Sequence, residues 1–154
     1  MKIEMLTSEN IGILVDFERE ARETEPDIWI DEFNAEDFKR DLLNAMKNHV
    51  YSAARCMMCL DDDSKVIGRI DFSIVSCFAF GGNLQVYVDW VYVLKDFRHK
   101  GAAQFLFAKM EEYIKKLGID EYFLLTAEND EAQKFYKSVK GAEIENKEVL
   151  RKQV

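Results

Sequence analysis

A short apolar strand that runs into a basic, small-residue turn is the segment with the clearest capacity for chemistry. The strand ends with Val91, Tyr92 and Val93, and the turn consists of Arg98, His99, Lys100, Gly101, Ala102 and Ala103. Small residues let the backbone approach a ligand closely. If a helix follows, its first amides lack partners within the helix and carry the positive end of its dipole. Such a corner binds phosphates, so the pattern predicts an enzyme that holds a phosphate-bearing cofactor.

The composition is typical of one globular domain, and we expect residues 1–154 to form it. Apolar residues make up 48% of the chain and charged residues 32%, which argues against disorder. No apolar run approaches the roughly 20 residues that span a bilayer. The first residues lack the long apolar stretch of a signal peptide. We therefore expect a cytoplasmic protein.

The cysteines and histidines predict no metal site. Cys56, Cys59 and Cys77 are an odd number without a secretory signal, which favours reduced thiols. Cys56 and Cys59 have C-x-x-C spacing, but on a strand these two side chains point to opposite faces. The only histidines, His49 and His99, lie far apart in sequence. We interpret Cys56 and Cys59 as small buried apolar residues.

Negative charge is concentrated near the N-terminus. The net charge of the chain is −8, and the segment Asp16–Asp41 contains eleven acidic and four basic residues. Nucleic-acid binding is disfavoured, because phosphate contacts need a basic surface. The acidic segment fits a cationic partner or substrate. It equally fits a solvated acidic helix face.

The elements that must position the corner follow a mixed α/β order. Ser8 is expected to cap the first helix and Asn34 the second. Strand 84–93, helix 101–117 and strand 119–126 form a crossover unit that places the corner at the carboxyl end of a strand. The other predicted elements are strands 2–6, 50–60, 66–78 and 142–150, and helices 8–24, 34 to about 46, and 130–139.

Two motifs resemble those of the GCN5-related N-acetyltransferase (GNAT) superfamily. Tyr92-Val93-x-x-x-x-Arg98-x-x-Gly101-x-Ala103 is similar to the acetyl-CoA diphosphate motif of the family, and Asn129-x-x-Ala132-x-x-Phe135-Tyr136 is similar to its next strand–helix motif. The resemblance implies an α+β fold with a mostly antiparallel sheet, splayed at the cofactor strand and flanked by about four helices. Three positions depart from the family pattern: Lys95 replaces a common proline, Ala103 replaces the second glycine of the loop, which the family tolerates, and Ala142 replaces a customary aromatic residue.

The resemblance also implies how acetyl-CoA is held. The amides from Arg98 to Ala103 would bind the diphosphate. Val91, Tyr92 and Val93 would lie at a bulge, and their backbone would pair with the pantetheine arm. One amide there would polarise the thioester carbonyl as an oxyanion donor. Asn129 and Phe135 would also contact the cofactor, although Asn129 equally fits a plain N-cap.

Catalysis would then need a proton donor and a proton acceptor. The motif position implies that Tyr136 protonates the CoA thiolate that leaves, since a phenol is a plausible donor to a thiolate. The acceptor of the acetyl group would be a primary amine, which must lose its proton before it can attack. Asp89 is the main candidate base, because a charge in the apolar strand 88–93 is costly unless paired or wet. Asp89 equally fits a charge that faces solvent or pairs with Arg69.

The acidic segment would flank the acceptor cleft in this family. Its candidate acceptor-binding residues are Glu25, Asp27, Trp29, Asp31 and Glu32, together with Asp89. These residues favour a small cationic amine such as an aminoglycoside or a polyamine. Acetylation of a protein or peptide, and acyl-CoA binding without catalysis, are the alternatives. Many members of the family dimerise, and a homodimer is expected here on that basis alone.

Overall fold

The computed structural model describes residues 1–29, 31–78 and 81–153, which divide into two compact units. Unit 1, Met1–Leu124, contains strands β1 (Lys2–Met5), β2 (Ala54–Leu60), β3 (Val66–Cys77), β4 (Asn83–Val93) and β5 (Tyr122–Leu124), and helices α1 (Ile11–Thr24), α2 (Ala35–Lys47) and α3 (Ala102–Lys116). Unit 2, Leu125–Val154, contains helix α4 (Asp130–Ser138). In the described ranges, no helix has the length and apolarity needed to span a membrane.

The five strands form one open sheet in the order β1-β2-β3-β4-β5. The first four strands pair antiparallel, and β5 pairs parallel with β4. A parallel pair needs a crossover connection, and α3 supplies it. The mixed α/β fold class with a mostly antiparallel sheet, expected from the sequence, is confirmed.

Helices α1 and α3 pack on opposite faces of the sheet. Arg69 of β3 contacts Glu18 of α1, whereas Phe72 packs against Tyr113 of α3. Odd and even residues of a strand point to opposite faces, so these contacts assign one helix to each face. Gly68 lies under α3, where an added Cβ would come within 3.4 Å of the Leu106 side chain. One side of α1 is apolar and buried, and it consists of Ile11, Leu14, Val15 and Ala21.

A bulge interrupts β4 just before residues 91–93, the part of the strand predicted to bind the cofactor. Asp71 of β3 is opposite Trp90 and Phe72 is opposite Val88, so Asp89 is the extra residue on β4. We expected the bulge at Val91–Val93, and the structure places it at Asp89. Two residues opposite one is the geometry of a β-bulge, which bends the strand and raises its twist.

The pairing of β4 with β5 also ends at this point. The parallel ladder ends with Val88 opposite Leu124, the last residue of β5. Residues 89–93 pair with β3 on one side, and on the other side they extend past the end of β5. Residues 89–93 therefore lie beyond the parallel ladder, and the splay expected at the cofactor strand stays a prediction.

Two predicted element starts are wrong. Ser8 does not cap α1; Asn10 takes the N-cap position, and its side chain bonds to the Thr7 amide and the Met5 carbonyl instead. The strand expected from residue 50 begins at Ala54, because Asn48 caps a short 3-10 turn over His49–Tyr51. In both places a local side-chain bond to the backbone competes with the regular element.

The strand expected over residues 142–150 is absent. In the described part of unit 2, residues 140–153 are exposed and lie outside any helix or strand. Unit 2 holds no strand in its described residues against which this segment could form a ladder. Its apolar residues therefore remain exposed, Leu150 at 95%. The strand expected over 119–126 is also shorter, spanning only β5.

Candidate active site

The basic turn after β4 leads into the N-terminus of α3 with two left-handed residues. His99 has φ 59° and Gly101, the N-cap position, has φ 87°. An added Cβ on Gly101 would meet no protein atom within 4 Å, so the backbone conformation is what requires a glycine there. The Gly101 carbonyl accepts from the Phe105 amide at 2.9 Å, which closes the first turn of α3.

The first amides of α3 suit an anion. The N-cap residue has no side chain, and no side-chain hydrogen bond caps this end of the helix. With 15 residues, α3 is long enough to carry a substantial dipole. The Lys100 ammonium stands 5.2 Å from the centre of the Phe97 ring, on the exposed side of the turn. The corner has the geometry and charge of a phosphate-binding helix start.

The Arg98 side chain is committed to other protein groups. Its Nη1 donates to Glu25 Oε1 at 3.0 Å, its Nη2 contacts Glu25 Oε2, and its Nε donates to the Val93 carbonyl at 3.1 Å. Glu25 lies just past the end of α1. Arg98, predicted as a side-chain donor to phosphate, and Glu25, predicted to bind the acceptor, thus bind each other.

Tyr92 completes this contact. Its hydroxyl donates to Glu25 Oε2 at 2.5 Å, and its ring lies beneath the Arg98 guanidinium at 5.4 Å. Burial opposes ionisation of Glu25, but the hydrogen bonds from Arg98 and Tyr92 and the Arg98 charge outweigh it and lower the pKa of this carboxyl. Burial and the Glu25 carboxylate raise the pKa of Tyr92 to about 12. We call Glu25, Tyr92 and Arg98 the corner clamp.

A second ionic cluster joins α1 to the bulged part of the sheet. Glu18 is buried, and it pairs with Arg22 at 2.5 Å and with Arg69 at 2.7 Å. Arg69 also pairs with Asp71 at 3.0 Å. One alternative for Asp89 was an ion pair with Arg69. In the structure Arg69 pairs instead with Asp71 and Glu18.

Two carboxylates lie at the bulge. Asp89 is exposed, whereas Asp71 is half-buried opposite the bulge. Burial raises the pKa of Asp71, and the negative charges of Glu18 and Asp89 add to this against the lowering effect of Arg69. Asp89 can therefore be reached by solvent, with a second carboxylate opposite the bulge.

Aromatic side chains line the same face of the sheet. The Trp29 ring is 5.5 Å from the Trp90 ring and 5.3 Å from the Tyr92 ring. Arg22 lies between Trp29 and Phe33, 4.4 Å from the centre of each ring. Trp90 remains 38% exposed. We call Trp29 and Trp90 the aromatic wall, and Asp89 is the chain neighbour of Trp90.

The other predicted acceptor-binding residues lie on the surface of the α1–α2 connection. Asp27, Asp31 and Glu32 are exposed. Glu20, further back on α1, pairs with Lys65 at 2.7 Å. The acidic segment therefore consists of a buried part, Glu18 and Glu25, and an exposed part.

The second predicted motif lies in unit 2. Asn129 caps α4, since its Oδ1 accepts from the Ala132 amide at 2.9 Å. Phe135 and Tyr136 are half-buried, with ring centres 5.7 Å apart. The N-cap role considered for Asn129 is thus present, and cofactor contacts of Asn129, Phe135 and Tyr136 stay predictions.

The corner clamp and the Glu18 cluster were not found from the sequence. One signal for Glu18 exists, because it follows Leu14 by four residues and precedes Ala21 by three, on the apolar side of α1. A carboxylate in such a stripe needs a buried partner. No comparable signal connects Glu25 with Arg98, which is 73 residues away.

Comparison with known proteins identifies the fold and the family. The model of the acetyltransferase (GNAT) family matches residues 14–141. A comparison with curated protein sequences gives no match to this chain.

Solved structures give the same fold at low sequence identity. An aminoglycoside acetyltransferase from an uncultured soil metagenomic sample, in complex with sisomicin, has TM-score 0.78 and 14% identity over 99% of this chain and 95% of its own. Ribosomal-protein-alanine N-acetyltransferase from Brucella melitensis biovar Abortus 2308 has TM-score 0.73 and 17% identity over 98% and 99%. Aminoglycoside N-acetyltransferase AAC(6')-Iy in complex with CoA has TM-score 0.66 and 20% identity over 99% and 100%. The family match covers most of the sequence, and the chain belongs to the GNAT family of acetyltransferases.

Proposed function

We propose that this acetyltransferase moves the acetyl group of acetyl-CoA to a primary amine of a small cationic acceptor. The observation that carries the proposal is the corner at the start of α3, where Gly101 adopts φ 87° and no side chain caps the helix. Residues 89–93, which extend past the last pair of the β4–β5 ladder, add a strand edge near it. A diphosphate at the helix start and a pantetheine arm along this edge fit these two features.

In the proposed reaction the amine nitrogen attacks the thioester carbonyl carbon. An amide of Val91–Val93 donates to the carbonyl oxygen as negative charge develops on it. The C–S bond then breaks, and Tyr136 donates its proton to the departing CoA thiolate. The phenolate so formed takes up, directly or through water, the extra proton on the attacking nitrogen, which leaves a neutral amide and restores Tyr136. We propose that residues 1–154 act as one acetyltransferase domain.

Asp89 is the proposed base. Its exposed carboxylate can take a proton from the ammonium group of the acceptor, directly or through water. The amine then reaches the thioester in its neutral, nucleophilic form.

The acceptor class follows from charge and from the aromatic wall. Asp27, Asp31 and Glu32 supply exposed negative charge, and Trp90 presents a half-exposed ring that can stack on a sugar or a cation. The structurally similar enzyme bound to sisomicin supports an aminoglycoside-like acceptor. Polyamines share the same chemistry. The cytoplasmic location and the homodimer expected from the sequence remain predictions.

A second candidate is acetylation of a protein or peptide. The similar fold of a ribosomal-protein-alanine N-acetyltransferase supports it. An acidic surface attracts basic peptides as well as small cations. A third candidate, acyl-CoA binding without turnover, would keep the corner and not need Asp89 or Tyr136.

Release of thiol from acetyl-CoA in the presence of defined acceptors tests these candidates. We expect turnover with aminoglycosides or polyamines, and acetylated amine by mass spectrometry. Turnover on basic peptides alone would replace the proposal by the second candidate. Acetyl-CoA binding without turnover on any amine would replace it by the third.

Variants then test the two catalytic assignments. For Asp89→Asn we expect a rate loss of about 10²-fold near neutral pH that eases at high pH, where the amine loses its proton unaided. Asp63→Asn, in an exposed turn, is the matched control. For Tyr136→Phe we expect unchanged acetyl-CoA binding with slower turnover. Equal turnover of Tyr136→Phe and the wild type would remove Tyr136 as the acid.

A further inference from the structure

We propose that Glu25 and Tyr92 are positioning residues of the cofactor corner: they hold Arg98 so that the turn before α3 keeps the conformation that binds the diphosphate. This inference rests on the proposed use of acetyl-CoA. The sequence predicted that Glu25 binds the acceptor; this inference assigns it instead to the binding of the acetyl donor.

The contacts of Arg98 reach three parts of unit 1. The Arg98 guanidinium bonds to Glu25, just past the end of α1, and to the Val93 carbonyl at the end of β4. The backbone of Arg98 itself belongs to the turn. The Arg98 amide donates to the Lys95 carbonyl at 3.2 Å. Through this single side chain the end of α1, the end of β4 and the turn are fixed relative to one another.

The clamp is shielded well enough for its charges to matter. The Glu25 side chain is 11% exposed and that of Arg98 is 24% exposed. Removing one partner of such a pair leaves the other charge without compensation in a poorly solvated place. The fork of Arg98 meets both Glu25 oxygens, a bidentate geometry that Lys cannot reproduce.

The position of the clamp points to the diphosphate rather than to the acceptor. Both Glu25 oxygens accept hydrogen bonds within the clamp, so the carboxylate is turned toward the corner and not toward solvent. Val93, the residue whose carbonyl Arg98 holds, is the last residue of β4. A looser clamp would let the turn between Val93 and Gly101 rotate, and the amides of the corner would lose their alignment.

A truncated substrate separates positioning from general stability. S-acetyl-pantetheine carries the thioester but no diphosphate. We expect Glu25→Gln to lower kcat/KM for acetyl-CoA about tenfold and for S-acetyl-pantetheine less than twofold, with kcat and the acceptor KM nearly unchanged. Glu20→Gln is the matched control, since Glu20 lies on the same helix and its pair with Lys65 is exposed. It should behave as the wild type with both donors.

Further variants at the clamp keep the test independent of folding. Tyr92→Phe removes only the hydroxyl, and we expect a roughly threefold rise of the acetyl-CoA Kd in calorimetry. Arg98→Lys should not restore wild-type affinity, because it loses the bidentate contact and the bond to Val93. Glu25→Gln combined with Arg98→Gln should weaken binding no more than Arg98→Gln alone, as expected for one coupled unit.

The outcomes distinguish this inference from the proposed function. Equal losses of Glu25→Gln with acetyl-CoA and S-acetyl-pantetheine would overturn the positioning role, because the effect would then be general. If the wild type binds and turns over acetyl-CoA but Glu25→Gln has an unchanged acetyl-CoA Kd, the inference is overturned and the proposed function is not. A wild type that does not bind acetyl-CoA would overturn both.

Discussion

The two ends of α3 place the same demand on the backbone in different chemical surroundings. Gly101 before the helix has φ 87° and Gly118 after it has φ 75°, and an added Cβ would meet no atom within 4 Å at either site. At the C-terminal end, the amides of Leu117, Gly118 and Ile119 donate to the carbonyls of Ile114 and Lys115. At the N-terminal end no side-chain cap is present.

The difference shows how one element serves both stability and binding. The C-terminal end is closed by its own chain, as in an ordinary helix stop. At the N-terminal end the donors of the first turn lie beside a basic turn and the corner clamp. We infer that Gly118 serves the fold alone, while Gly101 serves the fold and the diphosphate.

Substitution of the two glycines should give the largest contrast. Gly101→Ala and Gly118→Ala each force a left-handed conformation on a residue with a Cβ, at about 1–2 kcal/mol. We expect similar losses of Tm for both. Only Gly101→Ala should weaken acetyl-CoA binding, about tenfold by calorimetry. Equal affinities for the two variants would remove the distinction between the ends.

Exposed lysines at the two ends should give a smaller contrast. Lys100→Gln removes a charge beside the corner, and Lys116→Gln removes one at the far end of α3. A single exposed charge contributes about 0.5–1 kcal/mol to phosphate binding, so Lys100→Gln should raise the acetyl-CoA Kd roughly threefold. Lys116→Gln should leave it unchanged. The Lys100 effect should shrink in high salt.

Acidification should weaken the corner clamp beside the N-terminal end of α3. This is the smallest of the three effects that we expect. The pKa of Glu25 is lowered in the fold from its usual 4.5, so its ion pair stabilises the protein fully above that value. The stabilisation is lost as pH falls below 4.5 and through the folded pKa. The Tm difference between wild type and Glu25→Gln, about 2–4 °C, should be constant from pH 5.5 to 8 and shrink toward pH 3.5. A difference that grows on acidification would contradict the assignment.

Local chemistry explains how much of the corner could be predicted. Gly101 and its basic neighbours are consecutive in sequence, and the strand before them and the helix after them are strongly patterned. The Asn34 and Asn129 caps are equally local, and both are present. Features that depend on a few adjacent residues were therefore accessible without a structure.

The clamp and the missing strand depend on distant residues. Glu25 meets Tyr92 and Arg98 only because the sheet brings the end of α1 beside β4. Likewise, a strand over 142–150 depends on a partner edge, which its own sequence cannot supply. The bulge at Asp89 shows the same limit, since register is set by both strands.

Hydrogen exchange of the α3 amides is the most direct test of the central claim, that the N-terminal end of α3 holds the diphosphate of acetyl-CoA. With saturating acetyl-CoA, we expect slower exchange in peptides that cover residues 98–105. Exchange in peptides that cover 115–120 should not change. Protection of 115–120 alone, or no protection of 98–105 at saturation, would contradict the claim.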